Sequence, residues 1–357
     1  MIKFRIYFLS VLCGLMMMAG FSSCSDDNDS PSWKEGAKID LPSYRAFVLS
    51  EGSYGKNNSH LFFLDPAQDT TYTSDIFEAQ NGVKVGDTAN DLITYNGDLY
   101  MVVNVSKYLV RLNGAGVVQA RYSDFSKLGE PRSAVADGGK LYVTCYGGYV
   151  ARFDAETLAF EDSVKVDANP EQIIAYDGNL YCVNSGFGKG HTMSIISEKK
   201  FDKAESVETL SNPQCITEAN GHIYVLAYGT DYSYPVALYN ASTKTFKQIG
   251  NGMKMVAYGD KLYFANSTSN DWVNYTTTVY CYDASTGTKS QLKVPTAISA
   301  SNVYLLERNP YDGTFYMATT DFYSNGKLYH LDSTLNKLKA GPIDAGGINP
   351  NSMVFLK

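Results

Sequence analysis

A chain of 357 residues with 28 Tyr, 17 Phe and 30 Gly has the composition of a strand-rich globular protein, not of a helical bundle. Its 30 basic and 37 acidic residues leave a formal charge of −7. That balance argues against nucleic acid or an anionic lipid surface as a partner, since both require a basic footprint.

The first element is a targeting segment over residues 1–23. Lys3 and Arg5 precede an apolar stretch from Ile6 to Gly20, and "FSSC" places small residues before Cys24. This is the layout of a secretory signal, with an apolar part too short for a membrane span. A cysteine directly behind small residues resembles the lipobox of bacterial lipoproteins, although Phe21 stands where Leu is usual. The resemblance implies that Cys24 is lipidated and that acyl chains alone hold the protein on a membrane, each buried methylene contributing about 0.8 kcal/mol. Residues 24–43 then read as the lipidated cysteine and an acidic, flexible tether, whose "SDDNDS" resembles the export tag of Bacteroidetes surface lipoproteins. Without residues 1–23 the charge is 28 minus 37, or −9.

Residues 44–357 read as one domain built on a repeat. A turn followed by an aromatic in a short strand recurs at Tyr100, Tyr142, Tyr181, Tyr224, Tyr263 and Tyr316, at separations of 42, 39, 43, 39 and 53 residues. A period near 40 carrying several short strands is the mark of a β-propeller. In residues 170–201, "EQIIAY" is an innermost strand, "LYCVN" a second and "MSIIS" a third, with period-two alternation throughout. The front unit, "RAFVLSEGSYGKNNSHLFFLDPAQD" at 45–69, lacks an innermost strand, and "NSMVFL" at the far end of the chain supplies one. Closure of this kind removes an exposed sheet edge. The expected fold is therefore all-β, a seven-bladed β-propeller whose first blade is completed by the C-terminal strand.

Antiparallel blades put the second-to-third loops and the inter-blade connections on one face. Those loops are longer than turn chemistry requires, which locates function there. They carry Tyr54 and Asn57, Tyr146 and Tyr149, Phe187, Tyr228, Tyr232 and Tyr234, Trp272 and Tyr275, and Phe322 and Tyr323. Rings with polar tips beside amides suit a large, neutral, partly planar small molecule; the competing reading is that the rings pack loop against loop. Counting back ten residues from each repeat tyrosine gives Asn90, Arg132, Glu171, Gln214 and Met253, and the terminal strand adds Asn351. These are expected to ring the channel mouth on the same face, unless they merely satisfy strand ends.

Marks of catalysis are weak. His60, His191, His222 and His330 fall in different repeats, and there is no G-x-S-x-G elbow, P-loop or HExxH. Glu51 with Glu171 is the one candidate acid/base pair. The chain reads as a binding protein without metal or cofactor, a lactonase- or lyase-like propeller enzyme being the alternative. Cys145, Cys182, Cys215 and Cys281 are widely spaced and read as single thiols, with one disulfide left open.

The opening "FVLSEGSYGKNNSHLFFLD", together with "NP" at inner-strand starts, resembles the YncE-like (YVTN-type) propeller lipoproteins of Bacteroidetes, which include the BtuG-type surface cobalamin-binding proteins. The likeness covers residues 44–357, with Ser50 where Asn is common. It implies a lipoprotein on the cell surface, anchored in the outer membrane, that captures a nutrient ligand. Cobalamin or a related corrinoid is the first expectation, and the recipient is a TonB-dependent outer-membrane transporter. Glycan binding and a protein-docking role are the alternatives, since Tyr and Trp also stack on sugars.

Overall fold

The computed structural model describes residues 32–71 and 75–357; the signal segment and Cys24 lie outside the described residues. Alternating apolar and polar residues form seven antiparallel sheets, one per blade. Blades 2 to 7 have four strands each, over residues 89–122, 131–165, 170–208, 213–251, 254–292 and 303–344. Blade 1 joins the two ends of the chain: Pro350–Leu356 is innermost, Arg45–Ser50 second and His60–Leu64 third. Phe47 lies opposite Val354 and Val48 opposite Met353, so the C-terminal strand completes the first blade as expected.

A backbone latch recurs in six of the seven blades and fixes where the innermost strand begins, whereas in blade 6 Met253 N instead donates to Ala265 O at 2.7 Å. The carbonyl just before that strand accepts from the N–H just after the second strand. The pairs are Glu51 N to Asn349 O at 3.0 Å, Asn104 N to Thr88 O at 2.8 Å and Tyr146 N to Glu130 O at 2.9 Å. The series continues with Ser185 N to Asn169 O at 2.9 Å, Tyr228 N to Asn212 O at 2.9 Å and Thr320 N to Asn302 O at 3.1 Å. Asn169, Asn212 and Asn349 adopt left-handed backbone, φ 49°, 55° and 58°, a region that asparagine tolerates better than most residues. This is the physical content of the "NP" repeat: the asparagine makes the corner and the proline starts the strand.

The repeat tyrosines join neighbouring blades. The Tyr100 hydroxyl donates to Ala155 O in the next blade at 2.9 Å, and Tyr142 packs on Phe201 with centroids 5.5 Å apart. At the closing seam Tyr316 donates to Asp69 of blade 1 at 3.2 Å. His330 stacks on Tyr316 at 4.3 Å and places Nδ1 2.9 Å from the same carboxylate. Each tyrosine thus buries its ring and finds a polar partner for its tip where one is in reach.

Among the described residues blade 1 has three strands; beside it stands the helix Ile76–Asn81, which the repeat did not foretell. Asp75 caps its start by accepting from Glu78 N at 3.0 Å, and Gly82 at φ 72° ends it. Ile76 and Phe77 bury against the blade, in one cluster with Phe47 and Phe63.

The stretch 32–43, read from sequence as flexible tether, is docked. Leu41 is buried, Trp33 stacks under Arg45 at 3.6 Å, and Asn113 Nδ2 donates to Glu35 O at 2.9 Å. Buried Gln80 accepts from Lys38 N and Ile39 N, at 2.7 and 3.1 Å, and donates to Ile39 O and Ala115 O, both at 3.0 Å. Composition alone suggested mobility; Trp33, Ala37, Ile39 and Leu41 packed on the core and one fully used amide decide otherwise. Cys145, Cys182, Cys215 and Cys281 are all free.

Removing residues 350–357 should expose both the channel side of Arg45–Ser50 and its unpaired backbone. The expected outcome is loss of the cooperative thermal transition by circular dichroism, restored by a synthetic peptide of residues 348–357 added in trans. A truncated protein that melts like the parent refutes ring closure as the source of stability.

Candidate functional site

The latch sets two rings of side chains around the channel mouth. Innermost strands contribute their second residue, and the second-to-third loops contribute their first. Asn351, Asn90, Arg132, Glu171 and Gln214 occupy the first set, all but Glu171 half-buried. Glu51, Tyr146, Ser185 and Tyr228 belong to the second, each held by its latch N–H.

These two rings meet in a polar network. Arg132 Nε donates to Glu171 Oε2 at 2.6 Å; Tyr146 donates to the same oxygen at 3.2 Å and Ser185 Oγ to Oε1 at 2.7 Å. Across the mouth, Glu51 accepts from the Tyr304 hydroxyl at 2.5 Å and from Asn351 Nδ2 at 3.2 Å. Lys254 Nζ lies 4.1 Å from the centre of the Tyr304 ring. Two carboxylates therefore face two cations over a set of tyrosines. Burial works against the Arg132 charge, yet Glu171, with Tyr146 and Glu51, holds the guanidinium well above its ordinary value. Burial lowers Lys254, and it pushes the Tyr146 hydroxyl up to about 12. Glu51 and Glu171 are each committed to hydrogen bonds on opposite sides of the mouth.

Register counting missed Tyr304 and Lys254. The turn between the innermost and second strands of blade 7, "NPYDGT" at 309–314, is longer than its counterparts, so ten residues back from Tyr316 lands on buried Leu306. The latch from Thr320 to Asn302 identifies Tyr304 as the true equivalent of Arg132 and Glu171. In blade 6 the count lands on Met253, one residue short of Lys254, because that blade lacks the bulge present at the start of most innermost strands.

Several loop rings touch one another, and some of these also stay exposed. Tyr228 meets Tyr234 edge-on at 5.4 Å, Tyr146 meets Phe187 at 6.1 Å, and Phe322 meets Tyr304 at 6.0 Å. Tyr54, Phe187, Tyr232, Trp272 and Tyr323 are exposed. Asn57 is exposed in blade 1's loop. Gln214 turns back onto Asn212 at 2.6 Å, and Asn90 presents its carbonyl to Asn351 Nδ2 at 3.2 Å. Tyr232, Trp272 and Tyr275 gather around one hollow of about 240 Å³, and Trp272, Tyr275 and Tyr323 around a neighbouring one of about 400 Å³.

Below the mouth runs a channel cavity of about 570 Å³. Glu307 lines it at the level of Ile93 and Val354, each paired across to the repeat aromatic of its blade. Loss of hydration pushes the Glu307 carboxyl up to about 7, although the Arg308 N–H donates to it at 3.0 Å. Among the described residues no group of three His, Cys, Asp or Glu side chains is arranged to hold a metal ion.

The chain belongs to the family described as "Domain of unknown function (DUF5074)", whose model matches residues 44–319. No curated protein sequence matches it. Among solved structures it is similar to a catalytically inactive virginiamycin B lyase from Staphylococcus aureus with quinupristin. The identity is 12%, the TM-score 0.56, and the match covers 79% of this chain and 94% of that one. It is also similar to the computationally designed Ika8 protein at 10% identity and a TM-score of 0.48, covering 85% of this chain and 89% of that one. At such identities the first likeness concerns the propeller fold.

Two outcomes are expected from the mouth and channel. Arg132→Met keeps the aliphatic stem but strips buried Glu171 of its cation, and should cost about 2–3 kcal/mol in denaturant unfolding; adding Glu171→Gln should recover most of it. No recovery would mean that the ion pair is not the reason for the loss. The second concerns pH. A carboxyl raised in the fold from 4.5 to about 7 contributes stability that is complete below 4.5 and lost as pH rises through about 7. Glu307→Gln should therefore gain on the parent between pH 5 and pH 8, by on the order of 1–3 kcal/mol in unfolding free energy. Parallel pH profiles for the two proteins would refute the assignment.

Proposed function

We propose that this DUF5074 member is a lipid-anchored protein of the outer-membrane surface that captures a nutrient on its loop-rich face. The ligand class favoured is a corrinoid such as cobalamin, and the recipient a TonB-dependent transporter in the same membrane. One observation carries the reading: Tyr54 (82% exposed), Phe187 (81%), Tyr232 (65%), Trp272 (75%) and Tyr323 (87%) all stand on that face. Large rings left in water on one side of a closed propeller are the mark of a contact surface.

Several sit in loops pinned by their own hydrogen bonds, Trp272 N donating to Ser269 Oγ at 2.9 Å and Ser233 N to Asp231 Oδ1 at 3.1 Å. Phe187, Tyr232 and Trp272 have left-handed backbone, φ 56°, 56° and 62°, a conformation bulky residues rarely adopt outside functional loops. Rings ordered before binding lose little freedom on contact, which favours affinity. A wide, neutral, conjugated macrocycle with peripheral amides matches flat rings around a mouth that offers Arg132, Asn90 and Asn351 for hydrogen bonds.

The docked N-terminal stretch supports a surface role. Arg45 Nε donates to Gly114 O at 2.5 Å, in a turn between third and outer strands, so residues 32–45 run over the clipped-turn face. A lipid on Cys24 would pull on that face and leave the aromatic face pointing away from the membrane.

Purified residues 25–357 should stay pink with cyanocobalamin through a desalting column. Tyr54→Ala and Phe187→Ala, which remove exposed rings, should each weaken retention with unchanged melting. A colourless parent protein rejects the corrinoid.

A further inference from the structure

Off the propeller axis, the loops of blades 6 and 7 enclose the two hollows described above, of about 400 and 240 Å³, which share Trp272, Tyr275, Asn302 and Phe322. The floor of this groove is polar. Asn302 is 3% exposed, and its side-chain oxygen has no hydrogen-bond partner, nor has the buried hydroxyl of Tyr275. Nothing in the local fold needs them unpaired, since the backbone carbonyl of Asn302 alone makes the latch to Thr320. A buried polar atom left without a partner costs about 1–3 kcal/mol, so both atoms gain from a ligand that reaches them.

The walls are set before any ligand arrives. Asp271 accepts from Val273 N at 3.0 Å and Asn274 N at 2.8 Å; Asp321 does the same for Tyr323 N at 2.9 Å and Ser324 N at 2.8 Å. Trp272 and Phe322 are thereby held at φ 62° and 68°. With their oxygens engaged on their own loops, the two aspartates act as loop pins.

What fits is constrained on two sides. The asparagine oxygen can only accept, so the ligand must bring a hydrogen-bond donor to the floor. The exposed faces of Trp272 and Tyr323 require a flat, apolar surface on the same small body. A pyranose ring has both: axial C–H groups on one face and hydroxyl donors around its edge. We infer that the groove between blades 6 and 7 is a sugar subsite for a neutral pyranose ring. It shares Tyr232, Trp272 and Tyr323 with the surface proposed for the corrinoid, but its floor of Asn302 and Tyr275 is its own, and it stands without that reading.

The sequence contains two tryptophans, and the other, Trp33, lies on the opposite face, so Trp33→Phe leaves Trp272 as the sole reporter. Emission of this variant is titrated with cellotriose, maltotriose and chitotriose. A saturable change with at least one is expected. Asn302→Leu, which removes the unpaired acceptor at similar volume, should weaken that sugar about tenfold, the worth of one hydrogen bond. Tyr54→Ala should leave it unchanged. If Asn302→Leu fails to melt cooperatively, Tyr323→Ala replaces it with the same expectation, its ring being exposed. No saturable response to any of the three sugars, or unchanged affinity in the groove variant, overturns the subsite. Cyanocobalamin retention is measured on the same proteins. Retention without a sugar response sinks this inference alone, and a sugar response without retention sinks the corrinoid reading alone.

Discussion

The pairing of Pro350–Leu356 with Arg45–Ser50 is the constraint on which the rest of the molecule depends. It gives the first blade its channel wall and leaves Glu51 and Gly52 latched to Asn349 and Ile348 at 3.0 and 2.9 Å. Without it the ring has an open edge, and the mouth loses Asn351 together with one of the two partners of Glu51. The clamp of Tyr316 and His330 on Asp69 closes the same seam farther out. A propeller is stable because every blade has two neighbours; here the seam blade is assembled from segments about three hundred residues apart, so its loop-closure cost falls on the final strand.

The latch converts this closure into a site. In six blades it ties the start of the innermost strand to the end of the second and so delivers two side chains to the channel mouth, while blade 6, without it, brings Lys254 there. What those side chains are then differs blade by blade: Arg132 and Lys254 as cations, Glu51 and Glu171 as anions, Tyr146 and Tyr304 as donors. The backbone is repeated and the chemistry is not. That division allows a repeat fold to present one asymmetric polar surface, with the Arg132–Glu171 pair half sheltered at 2.6 Å.

Rigidity around the mouth follows from loop-local hydrogen bonds and not from length. Asp271 and Asp321 each cap the turn that carries an aromatic, and Asn58 accepts from Ser53 N at 2.8 Å in the loop of blade 1. Long loops that would otherwise sample many conformations are instead set with their rings in water. The opposite face, by contrast, is largely clipped turns plus the docked stretch 32–43, clasped by Gln80.

The blade count, the shared first blade and the separation of long loops from short turns were all legible in the sequence, because a period of two within a period near forty is a local property of the chain. The caps of the helix Ile76–Asn81 were present in Asp75 and Gly82 but did not stand out against the strand repeat. The mouth residues were legible only where register was regular: Arg132 and Glu171 followed from counting, whereas Tyr304 and Lys254 were hidden by a longer turn and a missing bulge. Likewise, "tether" was a fair reading of residues 32–43 until Gln80, some forty positions away, supplied their backbone partners. Which rings stay in water, and which buried acceptors go unpaired, as at Asn302, could be decided only by the assembled ring. Exposure and hydrogen-bond satisfaction depend on neighbours from other blades, and the order of residues along one chain does not encode those distances directly.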